Sequence, residues 1–168
     1  MSYTLKHKEN HAKNTTVLSL IFIVAFVDIF GIIDFWQASK TLDIVNSIQE
    51  IIALHCNVPL WSTLSVIKIM DDTPEKYSFI PRTNKAIATP LGGGEVLVYS
   101  NDKNSVSIKI IGLEQRECFW LGSALCTQKM PYNTDVFVNE SLVINNGYIP
   151  LCNAIQNNTI SFLIKKVC

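Results

Sequence analysis

The side chains with the most chemistry to offer are five cysteines, Cys56, Cys118, Cys126, Cys152 and Cys168. None forms a Cys-x-x-Cys pair, and His7, His11 and His55 are not spaced from them as zinc ligands, so no metal site is expected. In an exported domain at least one disulfide is the expected use, and an odd count leaves one thiol over or one bridge between chains. Serine, histidine and aspartate are all present, yet no Gly-x-Ser-x-Gly, His-Glu-x-x-His or kinase-like arrangement assembles them. No catalytic residue, no cofactor-binding residue and no cofactor is therefore expected. Gly92-Gly93-Gly94 has the composition of a phosphate loop, but no strand is expected before it, no Lys-Ser/Thr follows, and a strand rather than a helix comes next. It reads as a flexible turn between helix and sheet.

Asp28 carries the remaining unusual charge, because it falls inside Val17 to Ile33, a run of about seventeen otherwise uncharged residues at the lower limit for a membrane helix. A charge there costs about 2.5 to 3.5 kcal/mol on insertion scales. Either Asp28 pairs with an amine or lysine of a partner, or it reaches the outer headgroups near Asp34 or is protonated. The run contains no proline and only Gly31 as a helix weakener, so the helix is expected to continue past it. Beyond Ile33, Ala38, Leu42, Val45, Ile48 and Ile52 recur at three- and four-residue spacing between Ser39, Lys40, Asp43, Asn46, Gln49 and Glu50. This is an amphipathic helix with one apolar stripe, which must leave the membrane and pack on the rest of the chain.

Lysines 6, 8 and 13 precede the apolar run with only Glu9 opposing them, whereas Asp34 opens its far side. The positive-inside rule then keeps the N-terminus in the cytoplasm and sends the domain out. Asp34-Phe35-Trp36 is not a signal-peptidase site, so the run is expected to remain as a single-pass anchor. The organisation is a basic leader over 1–14, a hydrophobic helix over 15–55 and one extracytoplasmic globular domain over 56–168. Lys+Arg and Asp+Glu are 14 each, and this neutral balance supplies no footprint for nucleic acid.

Pro59 ends the long helix by excluding Val58 from the α region. A short helix is expected from Leu60 to about Met70, burying Trp61, Leu64, Ile67 and Ile69, then a break at Asp71 to Pro74 that could start another brief turn, and an extended loop over Tyr77 to Pro81. The period then becomes two: Glu95 to Tyr99 and Ser105 to Ile110 read as a hairpin turning at Asn101 to Asn104. Glu114 to Leu125 returns to helical spacing, with Cys118, Leu121 and Leu125 on one face, and Asn158 to Lys165 alternates as a closing strand. Trp36 reads as an interfacial anchor, Trp61 and Trp120 as core residues, and His55 as a solvent-facing or helix-capping residue. The fold class is α+β, with a long N-terminal helix, short helices and an antiparallel sheet.

In this order the features resemble the type IVb pilins, a family of pilus subunits. The apolar helix with its amphipathic extension looks like their membrane and assembly helix. Ser78-Phe79-Ile80-Pro81, then Ile87-Ala88-Thr89-Pro90-Leu91-Gly92-Gly93 with Val96 and Val98, look like the loop and glycine turn leading into their sheet. Ser107 to Ile110 with Gly112-Leu113, Cys118-Phe119-Trp120-Leu121, Leu151-Cys152 and Asn157 to Phe162 resemble their strand, first-cysteine helix, second cysteine and final strand. The resemblance implies a pilin-like fold and a Cys118–Cys152 disulfide; Cys126 with Cys168, leaving Cys56 over, is one way to use the other three. It places leader cleavage at Asn14/Thr15, where the family has a glycine, and Ser19 where it has a glutamate.

Those two departures make a minor pilin or pilin-like component the better expectation than a major subunit. The assembly helix would then comprise Ser19, Asp28 and the stripe Ala38, Leu42, Val45, Ile48 and Ile52. Expected partners are other pilin subunits, pilus-assembly proteins and the bacterial inner membrane, with the domain in the periplasm or on a pilus. The second reading is a membrane-anchored receptor or adhesin domain that never enters a filament; an anchored envelope enzyme has no supporting residue pattern.

Overall fold

The computed structural model of the protein describes residues 31–55, 57–102, 104–127, 134–142, 152–154 and 157–165. The chain divides into two units, Met1–Asp34 and Phe35–Cys168, and almost everything described belongs to the second. Helix α1 is described over residues 31–54. Of the apolar run, all that precedes Gly31 lies outside the described residues, and so do Asn14, Thr15, Ser19 and Asp28. No described helix is long and apolar enough to cross a membrane.

The apolar stripe of α1 is buried throughout: Ala38, Leu42, Val45, Ile48 and Ile52 are almost wholly inaccessible. The buried face is wider than the stripe, because Ile44 and Ile51 are covered too, along with Thr41 and Gln49. Thr41 solves its burial locally by donating its hydroxyl to Gln37 O at 2.9 Å. At the C-terminus, His55 caps: its N–H donates to Ile51 O at 3.1 Å and its Nδ1 lies 2.9 Å from the same oxygen.

Helix α2 (Thr63–Asp72) starts later than its apolar residues suggest, since Ser62 and Ser65 form a reciprocal capping box that fixes the first turn. Trp61 is buried as expected but precedes the helix, while Val66, Ile67 and Met70 form the inward face. Leu64 is not a core residue: it is 58% exposed on the opposite side. After Thr73, Pro74 opens the single-turn helix α3 (Pro74–Tyr77), its missing N–H costing nothing at that position. Tyr77 to Pro81 is thus not an extended loop; Tyr77 ends α3, and Ile80 N–H turns back to Tyr77 O.

Six strands form one antiparallel sheet in the order β1-β2-β3-β6-β4-β5: β1 Ile87–Ala88, β2 Glu95–Asp102, β3 Ser105–Leu113, β4 Thr134–Val138, β5 Ser141–Leu142 and β6 Asn158–Lys165. The β2–β3 hairpin forms with both strands longer than expected, so Asn101 and Asp102 are strand rather than turn. A two-residue strand, β1, does precede the glycine triplet, which therefore joins two strands of the sheet rather than helix to sheet. Helix α4 (Gln115–Thr127) follows β3 and buries Cys118, Leu121 and Ala124, with Leu125 only half-buried.

Cross-strand register places the apolar residues on one face: Val98 opposes Ile108, Ile108 opposes Phe162, and Phe162 opposes Val136. That face, the α1 stripe, α2 and α4 belong to one hydrophobic core. Strand β6 alternates buried and half-buried residues along its length, which is what a central strand with one core face requires. The β4–β5 connection has two residues, Asn139 and Glu140, at φ 47° and 69°. Two left-handed residues are the geometry of a tight hairpin turn that matches strand twist. Asparagine tolerates it and glutamate does not, so Glu140→Gly is expected to raise stability by about 1 kcal/mol, read as a higher urea midpoint at unchanged slope.

Candidate functional site

The expected disulfide is present. Cys118, buried on α4, is bonded to Cys152 in the segment ahead of β6, with Cα atoms 5.9 Å apart. Cys56 and Cys168 lie outside the described residues, as does the side chain of Cys126, so the pairing proposed for them does too.

Beside the bridge stands a residue the sequence reading passed over. Asn158, fully buried at the start of β6, uses its whole hydrogen-bonding capacity. Its Oδ1 accepts from Asn139 Nδ2 at 2.8 Å and Asn153 N–H at 2.7 Å; its Nδ2 donates to Asn153 O at 3.1 Å and Leu113 O at 3.3 Å. One amide thus joins the end of β3, the β4–β5 turn and the irregular segment after Cys152. Asn139 completes the link by accepting Thr159 N–H on its Oδ1 and donating its own N–H to Thr159 O. Two successive asparagines, Asn157-Asn158, look like turn residues in a sequence, and only the folded neighbours reveal the second as a core node.

Among the described residues one open depression, of about 510 Å³, is lined by Asp71, Pro74, Ser78, Ile80, Pro81, Arg82, Thr83 and Asn84. Its one cation is committed to the fold. Arg82 donates from Nε to Asp71 Oδ1 at 3.0 Å, from Nη1 to Tyr77 O at 2.7 Å and Ile80 O at 3.3 Å, and from Nη2 to Met70 O at 3.4 Å. Met70 and Tyr77 lie in the last turns of α2 and α3 and Ile80 just beyond, so the guanidinium adds a second donor to the Met70 and Tyr77 carbonyls and acts as a shared C-terminal cap. Lys76 reaches from α3 to Glu50 on α1 at 2.8 Å, and that bond raises the ammonium pKa above its ordinary value. No group of metal-ligating side chains occurs among the described residues.

Two polar side chains on α1 are covered without compensation. Gln49 Oε1 and Nε2 and Asn46 Oδ1 are buried and find no hydrogen-bond partner among the described residues. A buried amide left unpaired costs about 1 to 3 kcal/mol. Gln49→Leu, which keeps the volume and removes the polar atoms, is accordingly expected to stabilise the domain by about 1 kcal/mol in chemical denaturation. A loss of stability instead would reveal a bonded amide.

Some of the exposed aromatic side chains lie at the first residues of α1 within the domain. Phe35 meets Trp120 of α4 edge-to-face at 6.4 Å between ring centroids, and Trp120 meets Phe119 in the same way at 5.4 Å. Trp36 is 59% exposed, with the Lys40 ammonium 5.9 Å from its ring centroid. Trp120 is only partly buried and packs on the rim of the core.

The site residues therefore separate into three groups. The stripe Ala38, Leu42, Val45, Ile48 and Ile52 is consumed by the domain's own core and is not an outward surface. Cys118 and Cys152 are brought together, while Asn14, Thr15, Ser19 and Asp28 lie outside what is described. What the geometry defines is an α+β domain with a disulfide clamp beside a buried asparagine node. Compared with known proteins, the chain matches no family model, no curated protein and no solved structure.

Proposed function

We propose that this chain is a divergent minor pilin or pilin-like subunit of the type IVb class, held in the bacterial inner membrane by residues 17–33 with its domain outside the cytoplasm. The observation that carries the reading is what lies on either side of Gly31. From Ala38 to Ile52 the stripe of α1 is fully buried in the domain, and the sequence ahead of it, Val17 to Ile33, is a separate apolar run of membrane-helix length. A helix with one end serving as domain core and the other as a bilayer segment is the arrangement by which pilins move from membrane to filament. Intersubunit packing would accordingly use the run ahead of Gly31 and not the stripe. The disulfide and the one-sided sheet support the same reading, and the role is structural rather than enzymatic. Partners would be other pilin subunits and the assembly machinery.

The second reading, an anchored receptor or adhesin domain that stays out of filaments, is favoured by the leader's lack of glycine and by Ser19 at the glutamate position. The deciding experiment is the intact mass and N-terminal sequence of the protein from its own host, together with its recovery in sheared filaments. A mature chain beginning near Thr15 and present in filaments supports the pilin reading. A chain beginning at Met1 and confined to the membrane overturns it in favour of the anchored domain.

A further inference from the structure

We infer that Phe35, Trp36, Phe119 and Trp120 form an aromatic footing that seats the domain in the headgroup layer of a phospholipid bilayer. The inference rests on the membrane reading of residues 17–33 and extends it from the anchor to the domain itself.

Trp36 alone would be an ordinary interfacial residue, since it follows an apolar run by three positions. The structure adds a second element to it. Phe119 and Trp120 come from α4, more than eighty positions along the chain, yet the Phe35–Trp120 ring contact brings them to the point where α1 enters the domain. Phe119 is 47% exposed and Phe35 38%, so two rings of this cluster face outward although the domain has a large core in which to bury them. Aromatic side chains are enriched at the membrane–water boundary, where an apolar ring and a polar edge are both accommodated. Both tryptophans carry an indole N–H for that boundary, and Lys40 beside the Trp36 ring places a cation at headgroup level. Chain continuity selects the occupant: Ile33, the last residue of the apolar run, is two positions before Phe35, so whatever surrounds that run comes within reach of this cluster.

The prediction separates two helices. A single-pass anchor on a loose domain would wet only Trp36; a seated domain also immerses Trp120. Full-length protein is reconstituted into phosphatidylcholine–phosphatidylglycerol vesicles whose acyl chains are brominated near the headgroup. Trp36→Phe leaves Trp120 as the interfacial reporter and Trp61, a core residue, as the shielded reference; Trp36→Phe with Trp120→Phe leaves the reference alone. The difference between the two gives the Trp120 emission, which is expected to fall by about half or more in brominated vesicles. Phe119→Glu, at an exposed position, is expected to restore most of that emission while the circular dichroism spectrum stays unchanged. Protein that floats with the vesicles but shows unquenched Trp120 overturns the footing and leaves the anchor standing. Protein that does not float overturns both.

Discussion

Replacing Cys118 and Cys152 together with serine is expected to lower the stability of the domain by about 3 to 4 kcal/mol, read as a lower urea midpoint for the variant than for the oxidised wild-type protein. The bridge spans 34 positions, and closing a loop of that length removes freedom mainly from the unfolded chain. Within the fold it fixes α4 to the segment that delivers β6, a strand that sits between β3 and β4 in the middle of the sheet. Because β6 is central, losing its tether exposes both neighbours as well. Reducing the wild-type protein should produce at least the same loss, since the Cys118–Cys152 bridge is then opened as well. A variant as stable as wild type would mean that the core alone holds β6 in place.

Much of this architecture was legible because the periodicities were strong. Strand β6 was read with both ends correct, since Ile160, Phe162 and Ile164 alternate with polar or half-buried positions and nothing in the segment resists extension. The stripe of α1 was legible for the same reason. What failed was local pattern without tertiary context. Strands β1 and β5 are two residues each, too short for any period to register, and β4 carries Asp135 and Thr134 where a core strand would show apolar residues. Its strand character comes from pairing with β6, not from its own composition. By residue type Leu64 belongs in the core, but in the helix that starts at the Ser62–Ser65 capping box it stands on the face opposite Val66, Ile67 and Met70. Gln49 was read as solvent-facing by type and is buried by position.

The candidate site was less legible than the fold, and the reason is chemical. Charged and nucleophilic residues drew attention first, whereas the groups that organise this domain are neutral or fully engaged. Arg82 acts by satisfying carbonyls of the two helices just before it, and Asn158 by bonding Leu113 O far along the chain, and no spacing rule announces such partners. The disulfide was expected through a family resemblance, while the aromatic cluster needed Phe35 and Trp120 to be brought together in space.

Asn158→Leu is the sharpest probe of that organisation. Leucine keeps the branched shape, is somewhat larger and adds apolar character, so hydrophobic burial by itself would favour it. Hydrogen bonding argues the other way with more weight. The substitution strands Asn139 Nδ2 and Asn153 N–H as donors without acceptors and removes a donor from Asn153 O and Leu113 O. With a cost of about 1 to 3 kcal/mol for each buried group left unpaired, a net loss of about 3 to 5 kcal/mol is expected after the apolar gain is subtracted. The damage should also be local before it is global: amide exchange is expected to quicken first at Thr159 and in the β4–β5 turn, because Asn139 holds Thr159 and is itself held by Asn158. Asn158→Asp tests the donors separately, since it keeps the acceptor oxygen but turns the Leu113 and Asn153 carbonyls from partners into repulsive neighbours. If that variant matches wild type at neutral pH, the donated bonds contribute little and the node is an acceptor site for Asn139 and Asn153 alone.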